Sequence, residues 1–215
     1  MKTELSIIIV VKNSKDDLKK TLHSIRANNT ELLKAETEIV IIDGLSHDGS
    51  WELSTRAERI TGLRTHCYQQ PPQGIYPAMN LGHYKSSGNW LIYINAGDIL
   101  YDCRNLNNYL QQSRSSAIQF KSAIKRPNSG NAYTKSNYWD KCHQALIYRK
   151  SNHKKIGRYN ESLKICADSL FIKSIDESDI EYANQILSVT QVSPNNASRN
   201  PRLVREDLEL SLIHI

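Results

Sequence analysis

No apolar run in this sequence approaches the roughly 20 residues that a membrane-crossing helix needs, so a protein anchored by such a helix is not expected. The four cysteines, Cys67, Cys103, Cys142 and Cys166, are scattered with no CxxC pair. That argues against a structural zinc site and a disulfide framework, and fits a reducing cytoplasm. The opening MKTELSIIIVVKN lacks the small-residue cleavage site of a signal peptide and reads as a first strand. No GxGxxG follows it, because IIIVVKNS holds no glycine, and GxxxxGK[ST] is absent from the chain. Neither common glycine-built phosphate cradle is therefore present. Strong charge of one sign is also missing: 28 basic against 22 acidic residues leave a net charge of +6. The basic residues lie near 12–26, 121–126, 149–158 and 199–205, without the density and aromatic interleaving of a nucleic-acid footprint. No nucleic-acid partner is expected. An anionic substrate, an acidic membrane surface and a plain solvated surface all remain open.

What is there suits one soluble domain. The chain has 215 residues, 39% hydrophobic and 23% charged, enough for a substantial core and too few for two ordinary domains. The run 6–11 (SIIIVV) is apolar throughout, as expected of a parallel strand covered on both faces. Ser14 and Asp17 form a capping-box pattern ahead of Leu18, Leu22 and Ile25 at helical spacing. A second buried strand at 39–42 ends in Asp43-Gly44, a helix is expected over 50–60 and a strand over 63–68. Pro77 suits the first residue of a helix and Gly88 its stop. The apolar run 91–94 follows. Strands are expected at 117–123, 145–148 and 186–192, with a turn-rich stretch around 127–130 and a helix near 167–175. A loop over 194–201 and a terminal helix over 203–215 complete the pattern. The alternation in the first half predicts an α/β fold with a mostly parallel central sheet flanked by helices, and a less regular second half. Residues 1–215 then make a single domain, with a regular half at 1–100 and a less regular half at 101–215.

Ligands bind at the carboxyl ends of the strands in open sheets of this kind. Two apolar strands here run into acid-bearing turns, IVII into Asp43 and LIYI into Asn95-Ala96-Gly97-Asp98. Each aspartate alone is explained well enough as a turn or helix cap; as a pair on one sheet edge they point to a site. A diphosphate bound without a glycine-rich cradle needs a metal ion. Mg²⁺ or Mn²⁺ takes one or two carboxylates together with substrate phosphates and water, a task for Asp98 with Asn95 beside it.

The segments SIIIVVKNSKDDLKKTLHSI, EIVIIDGLSHDGS, QGIYPAMNLGHYKSSGNWLIYINAGD and HQALIYR resemble, in that order, glycosyltransferase family 2, and within it the bacterial exopolysaccharide branch of colanic-acid and O-antigen transferases. That branch typically reads GIYDAMNKG…G…LNSGD in the third segment. The resemblance implies a GT-A, Rossmann-like fold with a nucleotide-sugar-binding half at 1–100 and an acceptor-binding half at 101–215, a nucleoside-diphosphate sugar donor, a divalent metal (Mn²⁺ or Mg²⁺), and a glycan or lipid-linked acceptor. It also implies a cytoplasmic protein at the inner face of the plasma membrane. By motif, Asp43 would bind the donor base, with main chain near Val10, Val11 and Lys12 lining its pocket. Tyr76 and Asn80 would border the sugar or diphosphate. Asp98 would be the metal-binding member of the DxD-type motif, with Asn95 in its first position. The stretch His143-Gln144-Ala145 matches the branch's HQA motif, so His143 and Gln144 would contact acceptor or diphosphate. Asp168 in ADSLF would be the general base, against a competing reading as a helix cap. Arg199 and Arg202 could face the leaving diphosphate, although exposed arginines near a terminus usually have no such task. Met79 reads as helix packing, and Asp48 as a helix cap.

Two departures stand out: Pro77 replaces a usual acid, and Leu45 replaces a common Gly or Asn. They keep alive a second reading, a family member that only binds a glycan or a partner transferase. A nucleotidyltransferase is a third, with Val11-Lys12-Asn13-Ser14 a poor version of its loop.

Overall fold

The computed structural model describes residues 3–125, 133–135 and 142–191, together with Arg205 and Asp207. The expected turn at 127–130, the loop at 194–201 with Arg199 and Arg202, and most of the terminal helix lie outside the described residues. Strand β1 (Leu5–Val11) leads into helices α1 (Lys15–Ala27) and α2 (Asn29–Lys34). Strand β2 (Thr37–Asp43) is followed by α3 (Ser50–Ser54) and α4 (Ala57–Thr61), then β3 (Thr65–Gln69), α5 (Ile75–Lys85) and β4 (Trp90–Tyr93). Next come β5 (Ile99–Leu100), α6 (Leu106–Gln112), β6 (Ala117–Lys125), β7 (Tyr133–Lys135) and β8 (Leu146–Arg149). Helices α7 (Asn152–Ile156) and α8 (Ala167–Lys173) precede β9 (Ile180–Gln191).

Among the described residues these strands form one sheet in the order β3-β2-β1-β4-β8-β6-β9-β5, with β7 on β6. The first four strands are parallel, and β8 enters antiparallel against both β4 and β6. Side chains alternate across a strand, so β1 serves two cores. Ile7, Ile9 and Val11 pack with Leu18, Leu22 and Ile25 of α1. Ile8 faces Tyr76 and Met79 of α5. A Cβ on Gly82 would stand 2.4 Å from Cγ2 of Ile8, so glycine is what lets α5 lie this close to β1.

Several expected boundaries move, each for a local reason. The cap foreseen at Ser14 is not made: its hydroxyl donates to the Lys12 carbonyl, and Asp48 from another loop accepts the Lys15 N–H instead. Helix α5 starts two residues before Pro77, which is tolerated because first-turn N–H groups lack helical partners. Gly88 is no helix stop, since α5 ends at Lys85. It is needed because a Cβ there would meet the Ser6 nitrogen at 2.7 Å. The helix expected over 50–60 is two short helices. Strand β9 begins at Ile180, six residues earlier than the apolar run announces. Its first half is only partly buried and so shows no continuous hydrophobic signal.

Candidate active site

Strands β2 and β4 flank β1 in parallel, so Asp43 and the turn carrying Asp98 lie at the same, carboxyl edge of the sheet. Beyond β4 the chain turns sharply, with Gly97 at φ +104 and the Asp98 N–H donating to the Asn95 carbonyl, 3.0 Å. Helix α1 holds this turn. The buried Thr21 hydroxyl donates to the Asp98 carbonyl (2.8 Å) and accepts the Gly97 N–H (2.9 Å). Further along the helix, Ser24 accepts the Leu100 N–H, and the Asn28 amide bonds the Leu100 carbonyl and the Cys103 N–H.

A cavity of about 640 Å³ opens at this edge, and Tyr76, Asn95, Asp98, His143, Gln144 and Asp168 are among its lining residues. Six of the residues singled out from sequence thus share one space, although they come from distant stretches of chain. Asp98 is only 5% exposed. Burial pushes its carboxyl up to about 7, against hydrogen bonds from the Gln191 N–H, the Asn95 turn and the Gln144 side chain. Among the described residues no cation pairs with it. Asp168 opens α8. The Tyr76 hydroxyl donates to its Oδ1 at 2.9 Å, and Nδ1 of His143 stands 3.7 Å from its Oδ2. Burial, and then the Asp168 carboxylate, hold the Tyr76 hydroxyl well above the usual tyrosine range, so it stays a donor.

The tautomer of His143 follows from its neighbours. Burial keeps both His143 and His153 below the usual histidine value, so at neutral pH both rings are uncharged. Nδ1 of His153 faces the Gly157 carbonyl at 3.0 Å and must carry the proton, because a carbonyl only accepts. Its Nε2 then accepts from Tyr148 (3.0 Å), Tyr148 accepts from Tyr159 (2.8 Å), and Tyr159 accepts from Nε2 of His143 (3.3 Å). The bare Nδ1 of His143 is left facing Asp168. Two proton acceptors therefore converge on the cavity, where each can take a hydrogen bond from a separate ligand hydroxyl.

Val11 lies elsewhere. With Val10, Lys12, Gly44 and Gln70 it lines a smaller hollow of about 310 Å³, and Ile75 belongs to both spaces. Asp43 is fully buried beside this hollow. Its Oδ1 accepts the Ser46 N–H and the Gln69 amide, while Oδ2 has no hydrogen bond among the described residues. Asn80 is placed differently from the expectation. Its side chain accepts the Tyr159 N–H and donates to the Tyr159 carbonyl and Glu161, so it fastens α5 to the chain ahead of α8 and does not border the cavity. Asp48 accepts the Ser50 N–H and hydroxyl as well as the Lys15 N–H. It therefore joins two loops besides serving α3.

Sequence reading missed Thr21, Gln191 and Asp207. The Asp207 carboxylate accepts the N–H groups of Lys164, Ile165 and Cys166, just before α8 and Asp168. The polar set Thr21, Ser24, Asn28, at helical spacing beside the apolar stripe of α1, was the available signal for the first. A carboxylate some forty residues downstream gave none.

Among the described residues no three His, Cys, Asp or Glu side chains gather as a metal cage. The set does fit a cation that arrives with a diphosphate. Asp98 is a buried carboxylate with no cationic partner among the described residues, Asn95 lies beside it, and the open cavity leaves the other coordination positions to ligand oxygens and water.

This mixed sheet, with its site at the carboxyl edge of the parallel strands, has the GT-A glycosyltransferase architecture. Residues 6–178 match the model of Glycosyl transferase family 2, and the chain belongs to that family. It is similar to the PGL/p-HBAD biosynthesis glycosyltransferases of Mycobacterium tuberculosis and Mycobacterium bovis, 29% identical over 140 residues, covering 61% of this chain and 55% of theirs. The chain thus spans about half the length of the curated relatives it matches. Solved structures share the fold. S. aureus TarS 1-349 in complex with UDP superposes with TM-score 0.69 at 18% identity, over 95% of this chain and 65% of that one. The mannosyltransferase PcManGT from Pyrobaculum calidifontis, in complex with GDP-Man and Mn²⁺, gives 0.72 at 15% identity, over 99% and 64%. Among the described residues no helix is long and apolar enough to cross a membrane.

Proposed function

We propose that the chain is the catalytic domain of an inverting, metal-dependent glycosyltransferase. It moves a sugar from a nucleoside diphosphate to a hydroxyl of a glycan or lipid-linked acceptor, in the synthesis of a bacterial surface polysaccharide or glycolipid. The observation that carries this reading is the meeting of Asp98, Asn95, His143, Gln144, Tyr76 and Asp168 around one cavity. The hollow at Val11 and Gly44 suits the donor base, with Asp43 buried beside it and its Oδ2 without a hydrogen bond among the described residues.

Asp98, with Asn95, would hold the divalent cation and the diphosphate at the strand end. The cation, when bound, offsets negative charge on the departing diphosphate. Asp168 takes the proton of the acceptor hydroxyl as its oxygen bonds the anomeric carbon and the bond from that carbon to the diphosphate oxygen breaks. Tyr76 fixes Oδ1 of Asp168 through its hydroxyl and leaves Oδ2 for the incoming proton. A positioned base of this kind contributes about 10²–10⁴-fold.

Calorimetric titration of UDP, GDP, CDP and dTDP, each with Mn²⁺ and again with EDTA, tests the donor half. Metal-dependent binding of one nucleotide is expected, and binding by none would favour the reading of a partner-binding, inactive family member. Asp168→Asn tests the chemistry, with turnover falling about 10²-fold or more while nucleotide affinity is kept. An equal loss of binding would make Asp168 a structural cap.

A further inference from the structure

A second cavity, of about 650 Å³, lies at the opposite end of β4. It opens where Trp90 pairs with Arg149, beside the amino end of β1, whereas Asp98 follows the carboxyl end of β4. Its wall carries His83, Arg149, Lys150, His153, Lys154 and Arg158, and no carboxylate.

These cations are arranged, not merely numerous. The Arg149 guanidinium donates to the Ser115 and Ser113 carbonyls (3.0 and 2.8 Å) and lies 4.2 Å over the Trp90 ring. The Lys150 ammonium donates to the Ser86 carbonyl. Both bonds run to neutral groups, and of the nearby acids the Glu38 carboxylate lies close enough to favour the charged form of Lys150. Lys154 and Arg158 have no hydrogen bond or ion pair among the described residues and are exposed at the rim. The nearest acids are engaged elsewhere. Glu38 accepts from Ser6, Ser87 and Arg64, and Glu4 accepts the Asn89 amide.

Two histidines lie among these charges. Their rings pack against each other, tilted by 35°, with centroids 3.9 Å apart. Burial, then Lys150 and Arg158, drives His83 down to about 4. Burial, then His83, drives His153 to about 3. A polar hollow lined by four cations, two of them held by hydrogen bonds and two exposed at its rim, attracts an anion. Arginine forks and lysine ammonium groups together match the oxygens of a phosphate.

We propose that this cavity is a second anion site, one that takes a phosphate group and is independent of the candidate active site. The group belongs either to a lipid headgroup or to a soluble phosphate compound. Both offer the same oxygens to Arg149, Lys150, Lys154 and Arg158.

The test measures binding, not turnover, so its result stands apart from the assignment of the transferase site. Inorganic phosphate and pyrophosphate are titrated calorimetrically into the full chain. In parallel, the chain is floated with vesicles of phosphatidylcholine alone and with added phosphatidylglycerol. The comparison proteins are the double variant Lys154→Glu/Arg158→Glu, both exposed positions, and Asp98→Asn in the other cavity. The proposal expects the double variant to weaken binding roughly tenfold or more, with Asp98→Asn unchanged. Binding of phosphate in solution identifies a soluble compound, and binding only to phosphatidylglycerol vesicles identifies a headgroup. No binding by the native chain in either arm, equal binding by the double variant, or loss through Asp98→Asn alone would overturn it.

Discussion

Leu45 shows at the scale of one residue how a departure from a family pattern becomes a physical cost. It stands where Gly or Asn is common, and its φ is +55, a left-handed conformation costing an L-residue with a Cβ about 1–2 kcal/mol. Its side chain is 41% exposed, so little packing compensates. Leu45→Asn is expected to stabilise the fold by about 1 kcal/mol, read as a higher urea midpoint with nucleotide affinity unchanged. The substitution was visible in the sequence, but the strain was not, because φ depends on how the loop after β2 closes. Asp98 was legible for a different reason: an apolar strand that runs straight into a carboxylate is unusual in itself.

Helix α1 illustrates the element scale. Its apolar face, Leu18, Leu22 and Ile25, was readable from spacing and packs as that spacing requires. The polar face does separate work, because Thr21, Ser24 and Asn28 hold the chain from the Asp98 turn to Cys103. Thr21→Val keeps the side-chain shape and removes these bonds, leaving the Gly97 N–H and the Asp98 carbonyl unpaired. The expected result is about 1–3 kcal/mol of lost stability. Metal-dependent nucleotide affinity should fall with it, and Thr21→Ser should restore both. Thermal unfolding and calorimetry of the three proteins check this, and a loss of stability with affinity unchanged would confine Thr21 to the fold. Short elements such as α2 and α6 went unforeseen because six or seven mostly polar residues carry too little periodicity to stand out.

The whole molecule divides its polar groups between the two ends of one sheet. The carboxyl end gathers the candidate active site. The amino end is tied by Glu38, buried on β2, which accepts the hydroxyls of Ser6 and Ser87 and the Ser87 N–H (2.7, 2.9 and 2.6 Å), with Arg64 at 3.3 Å. Burial opposes the charge of Glu38, but these bonds outweigh it and hold its pKa below the usual value. A depressed folded pKa gives stability that is present above the unfolded value of 4.5 and lost as pH falls through the folded one. Glu38→Gln is therefore expected to cost about 1–3 kcal/mol at pH 7, with the difference from the native chain shrinking as pH drops below 4.5. Paired urea titrations across that range check the sign.

Local patterning alone determined the first half of the fold: β1, β2 and β4 are apolar because helices cover both faces, and such strands announce themselves. It also determined that Asp43 and Asp98 share an edge, since parallel strands point their carboxyl ends the same way. Only the tertiary structure decided which residues meet. Asp168 and Tyr76 are joined by a hydrogen bond across 92 positions of sequence. Asn80 became a clamp on Tyr159, outside the lining of the cavity. Four cations near the amino end of the sheet came to line one hollow. Side-chain partners set by the closure of a sheet over such separations leave no periodic trace in the chain, and that is why the chemistry at both ends had to wait for the fold.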